Sequence, residues 1–308
     1  MKIVTFKQVR GQNPARSSVG ALVGDGEYVF DFAKAGVSQN NADETNAGSL
    51  SWFDLDSELL KNAVSAFGDL RRDGAELLRA IEDGRVIKRA DVVLLAPVPR
   101  PGKLICIGLN YRDHAIESKM PIPERPVVFS KFSTSVIGPG EAVVVPSKSE
   151  QVDYEAELAV VIGRRAKNVT PEQAYDYVLG YTIVNDVSAR DFQFADGQWQ
   201  RGKSCDTFAP MGQWIVTTDE IPDPHTLSIK LRLNGQTMQD SNTNQLIFGV
   251  PELIAFLSES ITLEPGDVIA TGTPPGVGFA RKPPVFLKSG DVMEVEIEGI
   301  GTLTSPIA

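Results

Sequence analysis

The sequence predicts an α+β protein that is mostly β, with a small N-terminal α+β unit ahead of a larger one. Three observations predict it. Val/Ile-rich runs of five to eight residues recur between Gly- and Pro-marked turns along the whole chain. Only a few stretches carry the 3.6-residue apolar period of a helix. The chain has 308 residues, at the upper end of what one hydrophobic core holds.

The elements follow in order. KIVTF and VGALV open the chain, and GDGE before YVFDF reads as a hairpin turn. Residues 37–50 are polar and read as a surface loop. Helical spacing follows at about 52–66 and 74–83, where Leu59, Leu60, Val64, Leu77, Leu78 and Ile81 recur at one face. Pro97, Pro99 and Pro101 exclude helix and inner strand, so 96–102 is the expected linker between a unit at 1–95 and one at 103–308. Strands and turns then alternate to the C-terminus, with EPGD and KSGD as turns. Two helices stand out. One starts at Thr170, with Pro171 in its first turn, Gln173 completing a capping box and Gly180 as its stop. The other runs from Pro251 to about Ser258.

Composition narrows the function. With 42% apolar and 23% charged residues the chain is an ordinary globular protein. Runs such as VVLLA are far too short to span a bilayer, and MKIVTFKQVRG resembles no export or transit signal, so a cytoplasmic protein without membrane partners is expected. A net charge of −10 and the lack of a basic tract disfavour nucleic acid. Cys106 and Cys205 stand alone, and His114 and His225 are the only histidines, so a metal here must be held mainly by oxygen. That favours Mg²⁺, Mn²⁺ or Ca²⁺ over zinc or copper.

Five segments carry residues suited to chemistry. In VDYEAELAVVIG, a strand places Asp153, Glu155 and Glu157 on one face. Two readings stand: a half-buried strand with a wet acidic face, or a carboxylate pair converging on a cation. The strand turns apolar on both faces after Glu157, and carboxylates entering a buried strand need a counter-charge. In YTIVNDVSARD, Asp186 interrupts a β-branched run, either as a strand-end turn or as a third oxygen ligand. In IGLNYRDHAIES, one helical turn brings His114 to Glu117; the alternative is a solvated charged face. The MPIPERP that follows suits a lid over residues 112–126. WQRGKSCDTFAPMG surrounds Lys203 with loop-forming residues, where a solvated lysine is the plain reading. ATGTPPGVG has the glycines of a phosphate loop without its G-K-[ST] ending, and offers backbone N–H groups and the Thr273 hydroxyl to a carboxylate.

NYRDHAIE, FSKFSTSVIGP, VDYEAELAVVIG, YTIVNDVSARD, GKSCDTFAP and TGTPPGVG, in this order over residues 100–305, resemble the fumarylacetoacetate hydrolase family. Residues 1–95 resemble the small extra domain of one of its subgroups. The resemblance implies a mixed β-roll or sandwich with a few helices, and a homodimer. It implies an Mg²⁺ or Mn²⁺ site of Glu155, Glu157 and Asp186, His114 with Glu117 as the water-activating or proton-moving pair, and Lys203 facing a developing oxyanion. It places Lys131, Gln193 and Thr273 along the substrate pocket. The chain departs from the family at Asn110, where the larger hydrolases carry an aspartate ligand, and at Leu109, where a single-domain subgroup carries arginine. The implied substrates are short 2-oxo and 2,4-dioxo acids. C–C hydrolysis of a β-diketo acid is the first expectation, and tautomerisation or decarboxylation of oxaloacetate the second. A silent ligand-binding relative is the non-enzymatic alternative.

Overall fold

The computed structural model describes residues 1–9, 17–34, 65, 67, 68, 70, 74–117, 119–195 and 197–308. The loop expected at 37–50, and the expected helix at about 52–66 as far as residue 64, lie outside them. Among the described residues the strands form one sheet of eleven, one of four and two short pairs.

The large sheet runs Val86–Lys88, Tyr28–Asp31, Ser17–Val23, Lys2–Gln8, Ile215–Thr217, Val178–Asn185, Ala156–Ile162, Val268–Ala270, Leu104–Gly108, Val127–Lys131. Val92–Leu94 also pairs with Lys2–Gln8. All pairs are antiparallel except Val268–Ala270 with Leu104–Gly108. The four-stranded sheet runs Gln236–Asn242, Ser228–Leu233, Val292–Ile297, Gly301–Pro306. The mostly β character and the few helices agree with the sequence expectation.

The two central strands explain themselves. Every residue of Ala156–Ile162 and of Val178–Asn185 is buried. Strands covered on both faces read as continuous apolar runs, which is why LAVVI and YTIV do not alternate with polar residues. One face of the large sheet supplies Ile105, Leu158, Val160 and Tyr181 to a core shared with the four-stranded sheet and the helix Val250–Ser260. The other face supplies Leu104, Ala159 and Val161 to a core shared with Ile3, Phe30 and Phe67. The N-terminal strands thus continue the same sheet, through Lys2 opposite Val216.

GDGE closes the expected hairpin with Gly24, Asp25 and Gly26 all at positive φ. The helix Gly74–Glu82 fits its predicted place. The Thr170–Gln173 capping box opens a 3₁₀ segment, Pro171–Tyr177, and not an α-helix. Gly180 does not stop it. Gly180 lies inside the strand Val178–Asn185, where a Cβ would stand 2.2 Å from the Val216 carbonyl oxygen. The glycine serves close strand approach and not a helix terminus. No helix among the described residues is long and apolar enough to cross a membrane.

Candidate active site

The site forms where the central strand pair ends. Register sets Ala156 opposite Asn185 and Glu157 opposite Val184. Glu155 enters the first strand at the level where Asp186 leaves the second. The Asp186 N–H donates to the Glu155 carbonyl at 2.9 Å, and the Glu155 N–H to Asn185 Oδ1 at 3.0 Å. Carboxylate oxygens of Glu155, Glu157 and Asp186 therefore lie within 4.8 Å of one another, all three side chains buried. The wet acidic face is excluded. The single strand expected from residue 152 is also broken, into Val152–Asp153 and Ala156–Ile162.

Burial of so many charges demands partners. Lys203 Nζ donates to Glu155 Oε2 and Asp186 Oδ2, each at 2.8 Å. This lysine is 2% exposed, which excludes a solvated loop side chain. Lys131 Nζ donates to Asp186 Oδ1 at 2.5 Å and to the Val187 carbonyl at 2.9 Å. Arg190 Nη2 stands 2.7 Å from Glu155 Oε1 and 2.8 Å from Asp153 Oδ2, as charge contacts off the N–H directions. Its Nε donates to Asp153 at 2.9 Å, and its Nη1 to Gln193 Oε1 at 2.9 Å. Asp153 also accepts the N–H groups of Gly278 and Phe279.

The carboxyls divide sharply. Burial acts to raise Glu155, but Lys203 and Arg190 overcome it and hold this carboxyl at about 2. Burial, then the charges of Asp186 and Glu155, push Glu157 well above the carboxylate range. Glu157 accepts the Gly272 N–H at 2.9 Å and makes no ion pair among the described residues. Four carboxylates here meet three cations. A divalent cation would supply the charge that Glu157 lacks, and an all-oxygen donor set suits hard ions such as Mg²⁺, Mn²⁺ or Ca²⁺.

His114 and Glu117 do meet across one helical turn, in the helix Arg112–Glu117, with Nδ1 3.3 Å from Oε2. The ring is buried, unlike a residue on a solvated face. Asp113 fastens the helix by accepting the His114 N–H at 3.0 Å and the Ser241 hydroxyl at 2.6 Å. Glu117 accepts the Gly276 N–H at 3.1 Å. Gly276 has φ +101°, and a Cβ there would stand 2.1 Å from the Met238 carbonyl oxygen, so the position requires glycine.

One loop, TGTPPGVG, joins these groups: Gly272 bonds Glu157, Gly276 bonds Glu117, and Thr273 lies between them. Glu155, Glu157, Asp186, Lys131 and Lys203 form one contiguous cluster, and Gln193 joins it through Arg190. Sequence reasoning passed over Arg190 and Gln239. Arg190 stood within a quoted motif, four residues after Asp186, as an obvious counter-charge. Gln239 carries no local signal. Asn110 donates to the Phe248 and Thr271 carbonyls at 3.0 and 2.7 Å and accepts the Phe248 N–H at 2.9 Å. A carboxylate has no hydrogen for those carbonyls, so Asn110 is a brace beside a three-carboxylate set.

A family model, the C-terminal domain of fumarylacetoacetate hydrolase, matches residues 103–308. The chain belongs to the fumarylacetoacetate hydrolase family. It is an enzyme of that family, which sets aside the silent relative. Over 224 residues it is 51% identical to the mitochondrial oxaloacetate tautomerase fahd2 of Xenopus laevis, covering 72% of this chain and 70% of that one. The human mitochondrial oxaloacetate tautomerase FAHD2A is 50% identical over 224 residues, covering 72% and 71%. The fumarylacetoacetate hydrolase domain-containing protein 2 homolog of Dictyostelium discoideum is 52% identical over 223 residues, covering 69% and 73%. Among solved structures, the 5-carboxymethyl-2-hydroxymuconate delta-isomerase of Mycobacterium smegmatis superposes with a TM-score of 0.74 at 35% identity, covering 100% of this chain and 99% of that one. The fumarylacetoacetate hydrolase of psychrophilic Exiguobacterium antarcticum gives 0.73 at 33%, with the same coverage. These family relatives favour the tautomerase expectation over C–C hydrolysis.

Proposed function

We propose that this family member is an oxaloacetate keto–enol tautomerase that works with Mg²⁺ or Mn²⁺, Ca²⁺ being the third ion an all-oxygen site accepts. The observation that carries it is the buried triad in which Glu157 makes no ion pair among the described residues, in a chain about half identical, over 224 residues, to proteins named oxaloacetate tautomerase. Glu155, Glu157 and Asp186 would hold the ion, which when bound supplies Lewis-acid polarisation of a 2-oxo group. His114 moves the C3 proton. Its Nδ1 faces Glu117, which fixes the tautomer and leaves Nε2 for the transfer. Lys203 spends two of its three N–H bonds on Glu155 and Asp186 and meets the charge developing on O2 with the third. Lys131, Gln193 and Thr273 complete the pocket wall in this reading.

The test follows loss of the enol absorbance of oxaloacetate, with pyruvate formation and acylpyruvate cleavage measured in parallel. Tautomerisation accelerated by Mg²⁺ or Mn²⁺ and abolished by chelator is the expected result. Cleavage of acylpyruvates without effect on the enol would return C–C hydrolysis to first place, and metal-dependent pyruvate would favour decarboxylation. A homodimer belongs to the same proposal. The edge strand Val127–Lys131 and the 58% exposed Phe132 beside it offer an apolar surface for it.

A further inference from the structure

Gln239 has no part in the reaction proposed above, yet it is built into the back of the site. It lies on Gln236–Asn242 in the four-stranded sheet and is 1% exposed. Its Oε1 accepts the Ala156 N–H at 2.9 Å, between Glu155 and Glu157. Its Nε2 donates to Thr273 Oγ1 and to the Pro274 carbonyl, each at 2.8 Å. Partner chemistry fixes this orientation. A backbone N–H only donates and a carbonyl only accepts, so a flipped Gln239 would lose both Ala156 and Pro274. The Thr273 hydroxyl consequently faces a donor and acts as the acceptor. Its own hydrogen is left over, and among the described residues no protein acceptor takes it. Thr273 is itself 6% exposed, in the loop that also bonds Glu157 and Glu117.

We infer that Gln239 is a positioning residue that sets the hydrogen polarity of Thr273. With its lone pair held by the Gln239 amide, the hydroxyl presents its hydrogen to the ligand. Position 273 therefore recognises an acceptor oxygen, a carboxylate or enolate oxygen of a 2-oxo acid. This rests on the reading that Thr273 lines the substrate pocket. The same amide ties the backbone between two of the triad's glutamates to that loop, so the hydroxyl and the carboxylates keep one spacing.

The probe is oxalate, titrated calorimetrically into the full chain saturated with Mn²⁺. Thr273→Val should weaken oxalate on the order of tenfold, as loss of a hydrogen bond to a charged group does, while Thr273→Ser stays near the parent. Gln239→Met should weaken it by a similar factor alone, and by less than about twofold in the Thr273→Val background, because the hydroxyl it orients is gone. A purely structural glutamine would lower the melting temperature and cost the same factor in both backgrounds. Losses that multiply therefore overturn the inference, as does an unchanged oxalate affinity in Thr273→Val. Should Gln239→Met fail to fold, Gln239→Glu enters the same cycle. It keeps the length and an acceptor for Ala156, and as a carboxylate it has no hydrogen for Thr273. Oxalate binding involves no turnover. A chain that shows this coupling but leaves oxaloacetate untouched sinks the tautomerase reading alone.

Discussion

At the scale of single residues, the site contrasts two kinds of polar partner. Lys203, Lys131 and Arg190 neutralise Asp186, Glu155 and Asp153, whereas Glu117 faces an imidazole. These roles predict different mutant kinetics. His114→Ala should lower turnover by about 10² to 10⁴ while Mn²⁺ binding persists, the usual contribution of a positioned base. Glu117→Ala added to it should cost little more, because no ring remains to orient. Lys203→Met should multiply the defect without weakening Mn²⁺ uptake, since it removes a positive charge that competes with the ion for Glu155 and Asp186. Steady-state rates of the single and double variants, with metal affinity measured separately, decide this. Multiplying losses for His114 and Glu117 would separate them into independent groups.

At the scale of elements, the segment 112–126 is the candidate lid of the site. Its helix is only six residues long, below what stands alone in water. Outward-facing Ile116, Met120 and Ile122 are more than half exposed, an apolar surface that no described residue covers. Asp113 to Ser241 and Glu117 to Gly276 are its polar ties to strand Gln236–Asn242 and the TGTPPGVG loop. Elements with few buried contacts open at low cost, and such elements serve as lids. Amide hydrogen exchange across 112–126 should slow when oxalate is added with Mn²⁺, while the fully buried strand Ala156–Ile162 stays unchanged. Equal rates in 112–126 with and without oxalate would remove the lid from the account.

At the scale of the whole molecule, the N-terminal strands and the family-matched region are parts of one sheet. Lys2–Gln8 covers the edge of Ile215–Thr217, and Ile3, Phe30 and Phe67 share a core with Leu104, Ala159 and Val161. Cutting at the Pro-rich 96–102 would expose both that core face and an unpaired strand edge. A fragment of 103–308 made alone should therefore aggregate or lose its near-ultraviolet dichroism. A soluble fragment with full Mn²⁺ affinity would instead make residues 1–95 a dispensable unit.

Much of this was legible along the chain, for a local reason. Turn chemistry at GDGE, the apolar run of LAVVI, the three-residue spacing of His114 and Glu117, and the shortage of His and Cys each depend on near neighbours only. They determined the mostly β class, kept the paired imidazole and carboxylate as one of two readings, and limited any metal to mainly oxygen donors. Tertiary structure alone decided which charges meet. The Ala156–Asn185 register brings Asp186 to Glu155, Lys131 arrives from an edge strand, and Gln239 reaches in from a second sheet. It also decided what a residue is for. Gly180 resembles a helix stop until Val216 is seen pressing on it, and Asn110 resembles a lost ligand until its amide is seen bracing two carbonyls. Contacts between residues far apart in sequence are set by strand register and core packing, which a local pattern does not encode.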